Sequence, residues 1–436
     1  MRQAILSAFL FLSMSLSSAA ADTPVVDSLA ARGKTGIPLD RARELEKELG
    51  QLLVINVDGF GWNGPLALEP EFGPLVRRLQ VGGVIPHYGS TNYERIRSTN
   101  RALREMTELP LLVCSDIVRL RGRPPAKGYA APSSSFGDGY AGGFIGKYRD
   151  LPDEQFEALA ALNAFVFASL GTNVALGPTV DDSTRDARTD ERARVVLTQL
   201  ERFGLEPVIK HFPFLPSGAN LHTSSPDTRV PRAAAEERVQ AFRDLAAWSP
   251  IMMTTHLTDS LVDSRIVTFS APWIALLRTS TGFDGLLMSD GLLMLKAYAD
   301  RRAFGASGPE EAGLDPTAAW AVRAILAGHD FVIVEGSARQ TARVFDGILA
   351  AACGGSPRGM ALADRIEESY RRIRAWKETH AAALRREIET PRVMIDAVVA
   401  MVPRDGADMK SFRFDPGGLQ EIQPSIAEAE TREPGR

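Results

Sequence analysis

The sequence predicts an α/β protein in which eight parallel strands close into a TIM-type (β/α)8 barrel, in one domain with flanking N- and C-terminal helices. Two patterns predict it. Short apolar segments, many rich in β-branched residues, alternate with helical segments from about residue 45 to residue 377. Their apolar runs are continuous rather than alternating, which indicates a parallel sheet covered on its faces. Eight such units in that span suit a closed barrel with loop insertions. An open doubly wound sheet is the alternative, although no glycine-rich phosphate loop follows the first strand, as its dinucleotide-binding version requires.

The strands are expected at 51–57, 83–87, 109–116, 172–180, 207–213, 250–256, 285–290 and 330–335. The helices are expected at 71–79, 93–107, 153–170, 189–203, 232–248, 271–279, 317–327 and 338–352. A helix at 39–49 is placed to close the bottom of the barrel. A long charged helix at 361–386 carries Ile366, Tyr370, Ile373 and Trp376 at helical spacing, which reads as a packing face.

Residues 1–21 read as a secretion leader, with Arg2, a short apolar run over 4–16 and a small-residue cleavage site at Ala19, Ala20 and Ala21. The apolar run is short for a membrane span. An exported, periplasmic or secreted chain starting at Asp22 is therefore expected, with a folded domain over 22–400 and no membrane insertion after cleavage. The tail at 401–436 is rich in Pro, Gly, Glu and Asp without periodicity, and is expected to be disordered or loosely attached. A net charge of −4 lacks the basic excess of a nucleic-acid binder, so no nucleic-acid partner is expected. Cys114 and Cys353 could pair in an exported protein, but Cys114 lies in an apolar strand, where a buried free thiol is the expected state. Two cysteines alone cannot hold a structural zinc ion.

Active sites of such barrels form at the C-terminal ends of the strands. The polar residues there are His87 on strand two, Asp116 on strand three, Asp181 and Asp182 near strand four, Lys210 and His211 in strand five, His256 on strand six and Asp290 on strand seven. Any one of them could be a satisfied buried group or a helix cap. Their convergence on one rim points to a site.

The segment Gly282-Phe283-Asp284-Gly285-Leu286-Leu287-Met288-Ser289-Asp290-Gly291-Leu292-Leu293-Met294 resembles the nucleophile motif of the family 3 glycoside hydrolases, G-F-x-G-hydrophobic-hydrophobic-x-S-D-D/W-x-x-M. The resemblance implies that Asp290 attacks the anomeric carbon of a sugar. A carboxylate suits that role, because the ester it forms can be hydrolysed by the same oxocarbenium-like route. Lys210-His211-Phe212-Pro213 is similar to the family's K-H-F-P-G-H-G element, whose Lys and His grip sugar hydroxyls; the match ends at Pro213. In the bacterial β-N-acetylglucosaminidase branch the next loop carries an Asp-x-His. Here it reads Asn220-Leu221-His222, which makes His222 the implied general acid/base without its Asp partner. Asp116 and Arg119 resemble the sugar-binding pair of the D-x-E-G-G-x-V-x-R motif, with the E-G-G turn missing. Of the element after strand four only Arg185 and Arg188 could stand in, and each reads better as a surface charge. His256 follows Met253-Thr254-Thr255 as in the family's strand six and is expected to contact substrate. Asp263, Ser270, Asp330 and the run from Arg365 to Lys377 also follow the family pattern.

The resemblance therefore implies a one-domain retaining exo-glycosidase of the β-N-acetylhexosaminidase type. It would act on a carbohydrate with a β-linked N-acetylglucosamine or glucose, with no cofactor and no metal. One alternative is a degenerate barrel that binds a glycan without hydrolysing it. Another is a metal-dependent hydrolase using His87, His211, His256 and Asp290, although strand one lacks the H-x-H such enzymes need.

Overall fold

The computed structural model describes residues 24–57, 71–86, 93–115, 145, 148, 150–181, 187–214, 239–240, 242–259, 262–297, 304–305 and 307–388. Eight parallel strands form a closed barrel: β1 (Leu53–Asn56), β2 (Gly83–Ile85), β3 (Leu112–Ser115), β4 (Val174–Ala175), β5 (Glu206–Phe212), β6 (Ile251–Thr254), β9 (Leu286–Gly291) and β10 (Phe331–Val334). A small antiparallel hairpin, β7 (Thr258–Asp259) with β8 (Asp263–Ile266), projects between β6 and β9. The expected (β/α)8 barrel is thus the observed fold. The leader, the tail, His87, Asp116, Arg119, Asp182, Arg185, Asn220 and His222 lie outside the described residues.

The strands are almost wholly buried because an outer ring of helices covers the sheet. Phe212 on β5 shows how the two layers lock. Its ring meets Phe242 and Trp273 edge-on, with centroids 5.4 and 6.0 Å away. Such pairs contribute about 0.5–1.5 kcal/mol beyond area burial, and they fix the backbone next to Lys210 and His211.

Strand four is much shorter than the expected 172–180. Pro178 has no N–H for the ladder, and beyond Ala175 the contact with β5 narrows to a bridge between Thr179 and Lys210. Of the helix expected at 232–248, residues 239–240 and 242–245 are helical and Ala246–Trp248 form a 3-10 turn. Cys114 and Cys353 are both buried free thiols. Among the described residues no helix is long and apolar enough to cross a membrane.

The bottom of the barrel is closed by the helices Pro357–Thr379 and Ala381–Arg385. Lys377 reaches inward and donates to Gln51 Oε1 at 2.9 Å and to the Gly82 carbonyl at 2.7 Å. Asn173 donates to the Leu384 carbonyl at 2.8 Å. Asp330, just before β10, is the hub of this end. Its Oδ2 accepts from the Leu287 N–H at 3.0 Å, and its Oδ1 accepts from Ser369 at 3.1 Å. Arg372 and Arg365 stand 3.3 and 3.6 Å from the same carboxylate, and Arg278 stands 3.8 Å away. Asp330 and the run from Arg365 to Lys377 thus form one structural cluster that binds β9, β10 and the last long helix.

Two predictions follow from these buried groups. Asp330→Ala leaves arginines and a backbone N–H without their acceptor, and should cost about 3–5 kcal/mol. Urea unfolding checks this, and a loss below about 1 kcal/mol contradicts it. The second concerns pH. Burial pushes His329 down to about 3, against the Ala324 carbonyl bond that opposes it. Between 6.5 and 3 the unfolded chain binds a proton that the folded chain refuses, so stability falls as pH drops through that window. Burial also lowers Lys377 to about 7 from 10.5, so its contribution rises with pH between those values. Melting curves from pH 3 to 10 should show both slopes, and Lys377→Met should flatten the alkaline one.

Candidate active site

Asp290 sits next to the C-terminal end of β9, and the preceding sequence explains how it gets there. Helix Ala271–Thr281 ends at Gly282, whose φ of +70° suits a residue without a Cβ. At Gly285 a Cβ would lie 2.4 Å from the Pro250 carbonyl, so only glycine lets β9 start this close to β6. Four residues of β9 then pair with β6, from Ile251↔Leu286 to Thr254↔Ser289. On the other side the register with β10 shifts between Phe331 and Ile333. Ser289 fills that gap: its hydroxyl accepts from the Ile333 N–H at 3.1 Å and donates to the Asp290 carbonyl at 2.9 Å.

The Asp290 side chain is 18% exposed. Its Oδ1 accepts from the Gly291 N–H at 2.7 Å, and its Oδ2 lies 3.8 Å from His211 Nε2. The other nitrogen of His211 donates to Asp181 Oδ2 at 2.8 Å. Asp181 is buried beyond β4, so it fixes the ring and turns Nε2 toward Asp290. Burial alone would push the Asp290 carboxyl up. The charges of His211, His256 and Lys210 and the Gly291 N–H outweigh it, and hold the carboxyl below its ordinary value. The group is therefore an ionised carboxylate in a desolvated rim, facing cationic and donor groups.

The structure brings Asp290, His211 and Lys210 together, as the sequence suggested. His256 is placed differently from the expectation. Its ring is fully buried, with Nδ1 at 2.7 Å from Thr268 Oγ1 and Nε2 donating to the Gly291 carbonyl at 3.0 Å. Both ring nitrogens are engaged by protein atoms, and the ring supports the turn behind Asp290. Arg188 binds the Leu151 carbonyl at 3.1 Å and holds a helix start. Asp263 accepts from Ser270 at 2.6 Å, which anchors the N-cap of helix Ala271–Thr281.

Two rim residues, Asn56 and Glu335, were passed over by the sequence reading, and a third, Asp181, was given no role. Asn56 ends β1 as a buried polar side chain, visible in sequence as the lone amide closing an apolar strand. Asp181 was noted at its strand end without a role. Glu335 follows β10, and its Oε2 accepts from the Leu293 N–H at 3.1 Å. Among the described residues no group of three metal-ligating side chains gathers.

No curated protein sequence matches the chain. Solved structures do. A fungal multi-domain family 3 β-N-acetylglucosaminidase is 17% identical with a TM-score of 0.61, and the match covers 80% of this chain and 41% of that one. A family 3 β-N-acetylglucosaminidase from Paenibacillus sp. str. FPU-7 is 19% identical with a TM-score of 0.58, over 90% of this chain and 70% of the other. A β-N-acetylhexosaminidase from Beutenbergia cavernae DSM 12333 is 22% identical with a TM-score of 0.56, over 77% and 98%. This chain thus spans less than half of the fungal protein, and at these identities the likeness is one of fold. The glycosyl hydrolase family 3 N-terminal domain pattern, in turn, matches residues 44–375. With the barrel and the Asp290 rim it leads to one conclusion: the chain belongs to glycosyl hydrolase family 3.

Proposed function

We propose that the protein is a retaining exo-glycosidase that removes a terminal β-linked sugar, N-acetylglucosamine by preference, through a covalent intermediate on Asp290. The observation that carries this reading is the placement of Asp290: partly exposed at the barrel mouth, its carboxyl held below its ordinary value by neighbouring charges, and, among the described residues, with Oδ2 engaged by nothing closer than His211 at 3.8 Å. The names of the structural neighbours, β-N-acetylglucosaminidase and β-N-acetylhexosaminidase, support the choice of sugar.

In this mechanism Asp290 Oδ2 bonds to the anomeric carbon while the glycosidic C–O bond breaks. The leaving oxygen takes a proton from the general acid, for which His222 is the candidate. The same residue then removes a proton from water, which attacks the anomeric carbon and releases Asp290 as carboxylate. Two inversions give net retention. Lys210 and His211 bind sugar hydroxyls beside the nucleophile, and Asp181 orients His211. Asp116 and Arg119 complete the sugar pocket. The leader at 1–21 directs the chain out of the cytoplasm, toward cell-wall glycans.

The test is turnover of p-nitrophenyl β-glycosides, with the anomer of the first product read by NMR. Wild type should release the β-anomer, fastest from the N-acetylglucosaminide. Asp290→Asn should lose about a thousandfold or more in kcat. A folded wild type inert toward all such glycosides contradicts the enzyme reading and favours glycan binding alone. The pH profile gives a second check. Lys210 helps hold Asp290 ionised, so Lys210→Met should move the acidic limb of kcat/KM to higher pH. A limb that stays put contradicts the electrostatic account.

A further inference from the structure

A carboxylate that directly precedes a helical turn has an easy alternative to reacting: it can cap that turn. Side-chain oxygens at such positions accept the unpaired N–H groups two or three residues ahead. Asp290 stands one residue short of this position, with the 3-10 turn Leu292–Ala297 beginning two residues later, and the Leu293 N–H three residues ahead is still within the range such oxygens cap. Yet the Leu293 N–H goes elsewhere, to Glu335 Oε2 at 3.1 Å. Among the described residues Asp290 accepts only from Gly291, through Oδ1.

The space Glu335 uses exists because residue 291 has no side chain. A Cβ at Gly291 would meet Glu335 Oε2 at 2.6 Å, Cδ at 2.9 Å and Oε1 at 3.0 Å. The Glu335 carboxyl therefore lies flat against the residue that follows Asp290. From behind, His256 Nε2 donates to the Gly291 carbonyl at 3.0 Å. Gly291 is thus clamped between the Glu335 carboxylate just past β10 and the His256 imidazole just past β6. The clamp aims its N–H at Asp290 Oδ1 and leaves Oδ2 facing His211.

We propose that Glu335 is a positioning residue for the nucleophile: it caps the turn after β9 in place of Asp290, and so keeps Asp290 Oδ2 uncommitted. The assignment rests on the catalytic reading of Asp290 given above. Glu335 acts through Asp290 and the turn, and takes no part in proton transfer.

The test compares Glu335→Ala, Glu335→Gln and Gly291→Ala in the full chain, each checked for wild-type melting behaviour. Without the Glu335 oxygen, Asp290 rotates onto the freed Leu293 N–H. Glu335→Ala should then lose about tenfold or more in kcat, with KM within about twofold. The extra N–H bond also stabilises the Asp290 anion, so the acidic limb of the profile should move to lower pH. Glu335→Gln keeps an acceptor oxygen and should retain at least about half of the wild-type kcat. Gly291→Ala pushes the carboxyl away from the turn and should reproduce the alanine loss at Glu335, which keeps the proposal testable should Glu335→Ala fail to fold. An active wild type with Glu335→Ala unchanged, or with Gln and Ala equally impaired, overturns the positioning role. A wild type inert toward every glycoside overturns the catalytic reading of Asp290 and this role with it.

Discussion

Strand β9 must hold the Asp290 carboxylate at a fixed height on the barrel rim, although its ladder with β10 is irregular. Side-chain oxygens from the same pair of strands restore what the ladder loses. Asp330 takes the Leu287 N–H at the bottom, Ser289 takes the Ile333 N–H in the middle, and Glu335 takes the Leu293 N–H at the top. Each oxygen satisfies a buried or half-buried donor whose loss would cost about 1–3 kcal/mol. Together they hold the strand straight from the arginine cluster at its base to Asp290 at its tip.

The electrostatics of the rim are a contest between burial and charge. Burial opposes ionisation of Asp290, and three cationic or cation-capable side chains with one backbone N–H win against it. Preorganised donors of this kind cost no reorganisation when charge moves during reaction. Asp181 serves the arrangement indirectly, because its bond to His211 Nδ1 decides which nitrogen faces Asp290. The opposite end of the barrel follows different rules. There burial pushes His329 and Lys377 down, and the Ala324 carbonyl bond at His329 and the Cys114 thiol at Lys377 are too weak to offset it.

Much of this was legible in the sequence, for identifiable reasons. Buried parallel strands are apolar on both faces, so β1, β6 and β10 stand out as unbroken runs. Gly282, Gly285, Ser289 and Asp290 were readable together as one resemblance to a family motif, and in the fold they meet separate steric or hydrogen-bonding demands of one strand. Strand four was overextended because the apolar run conceals the effect of Pro178 on pairing. The burial of His256 was hidden for a different reason: a histidine at a strand end looks alike in sequence whether it faces the mouth or is roofed over by Thr268 and Gly291. Glu335 escaped notice because the Leu293 N–H it accepts from lies on the neighbouring strand's turn, far away in sequence. The only hint was a glycine directly after the catalytic candidate, where the motif carries a side chain.

The account stands or falls on Asp290 forming a bond to sugar. The most direct measurement is mass spectrometry of the protein after reaction with a slow fluorinated glycoside that arrests the intermediate, followed by peptide mapping. The account predicts one sugar mass added per chain, located on Asp290 in the peptide that spans β9. A sugar adduct on another residue, or undiminished hydrolysis by Asp290→Asn, would contradict it.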